Sequence, residues 1–65
     1  MLTEKIGYNA GAVYMVLIKG ELELKDIKKE SKLTERDTLM AIGWLAREGK
    51  IKFRTEGKEV FVSLL

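Results

Sequence analysis

The stretch AIGWLAREGKIKF, residues 41–53, changes its hydrophobic period at Gly49, and this change limits the possible folds more than any other feature of the chain. Before the glycine, apolar residues recur at the spacing of an amphipathic helix. After it, Ile51 and Phe53 alternate with Lys52 and Arg54, as on a half-buried strand. The helix has a start signal at Thr34, where Thr34 and Asp37 form a short capping box and Glu35 and Asp37 place negative charge at the positive end of the dipole. It is predicted to run to Glu48, with Gly49 closing it. At 100° per residue, Leu39, Ile42, Leu45 and Ala46 gather on one side and Arg36, Met40, Gly43, Trp44 and Arg47 on the other.

The remaining segment, KIKFRTEGKEVFVSLL, reads as a hairpin. A two-residue turn at Glu56 and Gly57 pairs Phe53 with Val60 and Ile51 with Val62, so the inward positions are apolar. Lys52 then faces Phe61, and Arg54 faces Glu59, on the outer side. A three-residue turn would pair Arg54 with Val60 and mix the faces.

Upstream, Ile6, Ala10, Val13 and Leu17 form one stripe of a helix predicted over residues 3–19, with Thr3 as its cap and Gly20 as its end. Its other side carries Gly7, Gly11, Met15 and Ile18, with Tyr8 beside them and hardly any charge. GELEL then alternates as a short strand. KDIKKESK supplies a short helix with Ile27 and Ser31 inward and Lys25, Lys28, Lys29 and Lys32 outward.

Sixty-five residues make one domain, 1–65, and a chain of this size buries only about 60% of the surface it exposes when unfolded. With neither Cys nor His, disulfides and the usual zinc ligand sets are out of reach, which leaves helix packing or self-association to supply stability. A homodimer or partner contact is expected through Gly7, Gly11, Met15, Ile18 and Trp44, because small residues let backbones approach and a bare apolar face is a liability. Trp44 has two other roles open to it: packing within its own chain over the hairpin near Phe61, and stacking on a base.

An enzyme is not expected. No His or Cys is present as base or nucleophile, Ser31 and Ser63 have no evident activating base, and Glu21 and Glu23 fall on an exposed strand face. Gly7 and Gly11 lie within a helical pattern and lack the preceding strand of a phosphate loop, so no cofactor, metal or small-molecule substrate is expected. The opening MLTEKIG has neither the basic start nor the apolar run of a signal peptide, and no run approaches the roughly 18 apolar residues of a membrane span. A soluble, cytoplasmic protein follows. Net charge is only +2, so affinity for phosphate must come from local clustering.

Helix, short strand, helix, tight turn, long helix and hairpin is the order α-β-α-α-β-β, an α+β arrangement of three helices on a three-stranded antiparallel sheet. The chain resembles a winged helix-turn-helix domain over nearly its whole length, and AIGWLAREGKI is similar to the signature of a small prokaryotic winged-helix family, whose core here reads GWLAREGK. The resemblance implies that the third helix enters the major groove of double-stranded DNA while the hairpin wing reaches the backbone or the minor groove. It makes Thr34, Arg36, Met40 and Arg47 the candidates on the reading helix, Lys52, Arg54 and Lys58 the wing, and Lys28, Lys29 and Lys32 the phosphate contacts.

The implied function is a DNA-binding transcriptional regulator or nucleoid-type binder of modest specificity. The alternative is an interaction or dimerisation module that keeps the fold without binding DNA. Residues 34–48 favour that alternative, since two arginines there stand against three acids, and Met40 and Trp44 replace hydrogen-bonding side chains.

Overall fold

The computed structural model describes residues 2–65. It contains α1 (Leu2–Leu17), β1 (Leu22–Glu23), α2 (Leu24–Ser31), α3 (Glu35–Arg47), β2 (Ile51–Glu56) and β3 (Glu59–Leu64), the expected order. The strands form one antiparallel sheet in the spatial order β1-β3-β2, with the short β1 paired to β3 through Leu22 with Val62 and Glu23 with Phe61. No helix among the described residues is long and apolar enough to cross a membrane.

The core joins all three helices to the base of the hairpin: Ala10, Val13 and Leu17 from α1, Ile27 from α2, Ala41, Ile42 and Leu45 from α3, Ile51 from β2 and Val62 from β3. The α1 stripe read from the spacing is thus the buried one, with Ile6 half-buried at its start. α1 already includes Thr3, so this residue is not its cap. The helix ends at Leu17, and Gly20, at φ +132°, donates its N–H to the Leu17 carbonyl at 3.0 Å.

α3 begins as its sequence predicts. The Asp37 N–H donates to Thr34 Oγ1 at 3.1 Å, and the Thr38 hydroxyl donates to the Thr34 carbonyl at 2.8 Å. At the other end Gly49, φ +69°, donates to the Ala46 carbonyl and Lys50 to that of Leu45, both at 3.0 Å. That pair of bonds is a Schellman motif, in which glycine occupies the left-handed position at no steric cost. The buried face is rotated from the expected one, however. Thr38 and Ala41 take core positions, whereas Leu39 is 49% exposed.

The hairpin departs from the expected register by two residues. Its loop is Gly57–Lys58, so Glu56 pairs with Glu59, Arg54 with Phe61, Phe53 with Val62, Lys52 with Ser63 and Ile51 with Leu64. Gly57 has φ +62°, and Lys32 is the single non-glycine residue with positive φ among those described, so glycine holds the first loop position, as in a type II′ turn. A slip of two preserves strand parity, and the apolar face stays apolar. Only the root of that face is covered. Ile51 and Val62 are buried, whereas Phe53, expected inward, is 50% exposed because the hairpin projects past the helices.

Candidate nucleic-acid interface

α3 turns Thr38, Ala41, Ile42 and Leu45 into the core, which leaves Arg36, Gly43 and Arg47 on an exposed ridge with Met40 half-buried beside it. The ridge spans three turns with an arginine near each end. Arg36 has the neighbouring Asp37 at 4.0 Å, while Asp37 is itself held by Lys5 of α1 at 3.4 Å. Arg47 makes no ion pair among the described residues and is in the last turn, where the dipole favours a cation.

On α2, the spacing of Lys25, Lys28, Lys29 and Lys32 brings all four lysines around one open concavity of about 500 Å³ that Leu33 completes. Lys25 and Lys28 also line a smaller hollow with Leu24, Glu35, Thr38 and Leu39. The lysine cluster is therefore continuous with one flank of α3. Lys25 is drawn to Glu23 at 3.8 Å, but Lys28, Lys29 and Lys32 form no ion pair among the described residues.

Lys32 sits at the C-cap of α2 in the left-handed region, φ 60° and ψ 29°, with its N–H donating to the Lys28 carbonyl at 3.1 Å. A side chain in that conformation costs about 1 kcal/mol that glycine would not. The Ser31 hydroxyl donates to the Ile27 carbonyl at 2.7 Å, so it too is used in ending the helix rather than free for chemistry.

The wing is divided. Lys52 and Lys58 are exposed and unpaired among the described residues, but Arg54 is occupied. Its guanidinium donates to both carboxylate oxygens of Glu21, at 3.1 and 2.8 Å, and to Glu56 at 2.7 Å, and it lies over the Phe61 ring at 4.4 Å. Those bonds hold Arg54 well above even its usual range and, together with the nearby positive charge, hold the Glu21 carboxyl below its own. Arg54, expected in the wing, thus braces the sheet face. Glu21, read as an ordinary solvated acid, is its partner. The sequence carried no signal for the pair because the two residues are far apart in the chain.

Trp44 also departs from one of its expected positions. It stands against α1 rather than over the hairpin, lining a groove with Gly7, Ala10, Gly11, Tyr14 and Met15. Phe61 lies on the opposite face of β3 from the buried Val62, beneath Arg54. Of the expected contact residues, Gly7, Gly11, Met15 and Trp44 come together. Ile18 is exposed in the turn beyond α1 and does not line the groove. Tyr14 was not singled out in the sequence, although its place one turn after Gly11 is a usable signal.

Three helices whose third presents an exposed ridge, with a three-stranded sheet ending in a projecting hairpin, define a winged helix-turn-helix protein. The chain belongs to the winged helix-turn-helix domain family DUF2582, whose model matches residues 1–64. It is 40% identical over 63 residues to the uncharacterized protein MJ1608 of Methanocaldococcus jannaschii, with 92% of this chain and 90% of the relative covered.

The fold is shared with solved structures. Protein BT2368 from Bacteroides thetaiotaomicron superposes with a TM-score of 0.89 at 26% identity, over 98% of this chain and 79% of that one. Reduced HlyU from Vibrio cholerae gives 0.80 at 22%, over 95% and 67%. A structure bearing on the DNA recognition and protein interaction domains of HOP2 gives 0.75 at 27%, over 88% and 98%.

Proposed function

We propose that this protein binds double-stranded DNA with modest sequence specificity, as a transcriptional regulator or nucleoid-type protein. The observation that carries the reading is the cluster of Lys28, Lys29 and Lys32, unpaired among the described residues and continuous with the flank of α3. Lysines so placed engage phosphates without reading bases. Arg36 and Arg47 supply the cations of the groove-facing ridge, Thr34 and Met40 flank them, and Lys52 and Lys58 extend the contact along the wing. Arg54 is not assigned a contact, since Glu21 and Glu56 occupy its guanidinium. The likeness to a HOP2 domain, described in terms of DNA recognition, supports the same reading.

Specificity is modest because the ridge offers Met40 and Gly43 where amide or additional guanidinium groups would read base edges. The acidic balance of residues 34–48 and the position of Trp44 in an apolar groove favour a second reading, a protein-interaction module on the same fold. Fluorescence anisotropy with a random-sequence duplex between 50 and 200 mM salt separates the two. About four phosphate contacts give a logarithmic slope near −3.6 and a loss of roughly a hundredfold over that range. Absence of binding at the low-salt end would overturn the DNA reading in favour of the interaction module.

A further inference from the structure

We infer that two copies of this chain associate about a two-fold axis through the outer face of α1 and the groove between α1 and α3. The inference does not rest on DNA binding. The groove has a volume of about 530 Å³, with Gly7 and Gly11 in its wall and Trp44 on its α3 side. Nothing lies within 4 Å of where a side chain would begin at either glycine, so the hollow is open rather than filled by the chain's own residues.

The same face carries what such a hollow receives. Tyr8 is 82% exposed and Met15 65% exposed, two turns apart on α1. A two-fold interface is made by one patch meeting itself, so it needs a protrusion and a recess on the same surface. Tyr8 or Met15 of one copy entering the glycine-walled groove of the other meets that condition, twice over.

Area and charge point to the same occupant. Tyr8, Tyr14, Met15 and Trp44 together expose about 440 Å² at roughly 200 Å² per large side chain. Two such faces bury roughly 900 Å², the size of a weak, concentration-dependent interface below ~1,200 Å². From residue 6 to its end at Leu17 α1 has no charged residue, so the face neither repels a copy of itself nor attracts a polyelectrolyte. At the end of the groove Glu48 and Lys50 are one acid and one base, each without an ion pair among the described residues. Across a two-fold axis such a pair is complementary to itself. Arg36 and Arg47 lie about a quarter-turn or less around α3 from Trp44, so the ridge borders the association face.

Sedimentation equilibrium from roughly micromolar to hundreds of micromolar chain tests the inference, read together with the emission of Trp44, the single tryptophan. The expected result is a mass rising from 7.4 kDa toward twice that value, with a blue shift of Trp44 emission over the same concentrations. Met15→Lys should weaken association at least tenfold, because it carries a charge into the groove. Gly11→Leu should abolish it by filling the recess. Leucine also favours helix over glycine, so this variant should melt no lower than the parent at low concentration.

A mass that stays at 7.4 kDa throughout overturns the inference and leaves the face to a different protein. So does a dimer that survives both substitutions, which would place its interface elsewhere. Duplex binding by monomeric Gly11→Leu, with the salt slope per chain retained, keeps failure of the dimer distinct from failure of the DNA reading.

Discussion

Glu21 and Arg54 are joined by two hydrogen bonds of 3.1 and 2.8 Å that cross over β3, with the Phe61 ring lying under the guanidinium. The pair ties the segment entering β1 to the outer strand β2. A two-residue strand has little ladder of its own, so this clasp helps hold it to the sheet. Because the bond from Arg54 lowers the Glu21 pKa, the clasp is fully formed above the usual carboxylate value of 4.5 and weakens as pH falls through the lowered one. Thermal midpoints measured from pH 6 downward should fall less steeply below pH 4.5 in Glu21→Gln than in the parent. Identical pH profiles would show that the clasp adds nothing to stability.

Arg54→Ala provides the matching test of the wing. Since the guanidinium is already occupied, the salt slope of duplex binding should stay within experimental error of the parent. Lys28→Ala combined with Lys29→Ala should reduce its magnitude by about 1.8, at about 0.9 per lost phosphate contact, and by the same amount on any DNA sequence.

Lys32 offers a test in which stability and binding move in opposite directions. Lys32→Gly removes the left-handed strain and should stabilise the fold by a few tenths to about 1 kcal/mol, while duplex affinity falls. Duplex affinity that stayed the same or rose in the glycine variant would remove Lys32 from the phosphate contacts.

Thr34→Ala removes the acceptor for the Asp37 N–H and should cost about 1 kcal/mol, or roughly 4–8 °C in Tm for a domain of this size. Thr34→Ser should restore most of that loss. Calorimetry on the two variants separates the cap from any part Thr34 has in binding, because serine keeps the acceptor.

In the core, Ile27 is completely buried where α2 meets its neighbours. Ile27→Val should cost about 1 kcal/mol and Ile27→Ala about 2–5 kcal/mol. For so small a domain the second loss should leave much of the protein unfolded, visible as lost helical ellipticity at room temperature.

Element order, the ends of α3 and the sheet's apolar face were legible in the sequence because each depends on groups a few residues apart. The Thr34 cap, the glycine that closes α3 and the Ala10, Val13 and Leu17 stripe all act within a turn or two of chain. Strand parity is equally local, which is why the faces survived a hairpin register two residues from the expected one. The turn itself was misplaced because Gly57 fits either loop position on composition alone, and the pairing of Glu56 with Glu59 decided between them.

Tertiary structure decided the rest. A helical wheel gives the angles between α3 residues but not the direction in which its neighbours lie, so only packing could bury Thr38 and leave Leu39 in solvent. The wheel likewise left Trp44 without a neighbour until α1 was placed beside it. Arg54 reads as a free wing cation in its own strand and becomes a brace only through Glu21, 33 residues away. Charges interact through space, and the sequence records only their separation along the chain.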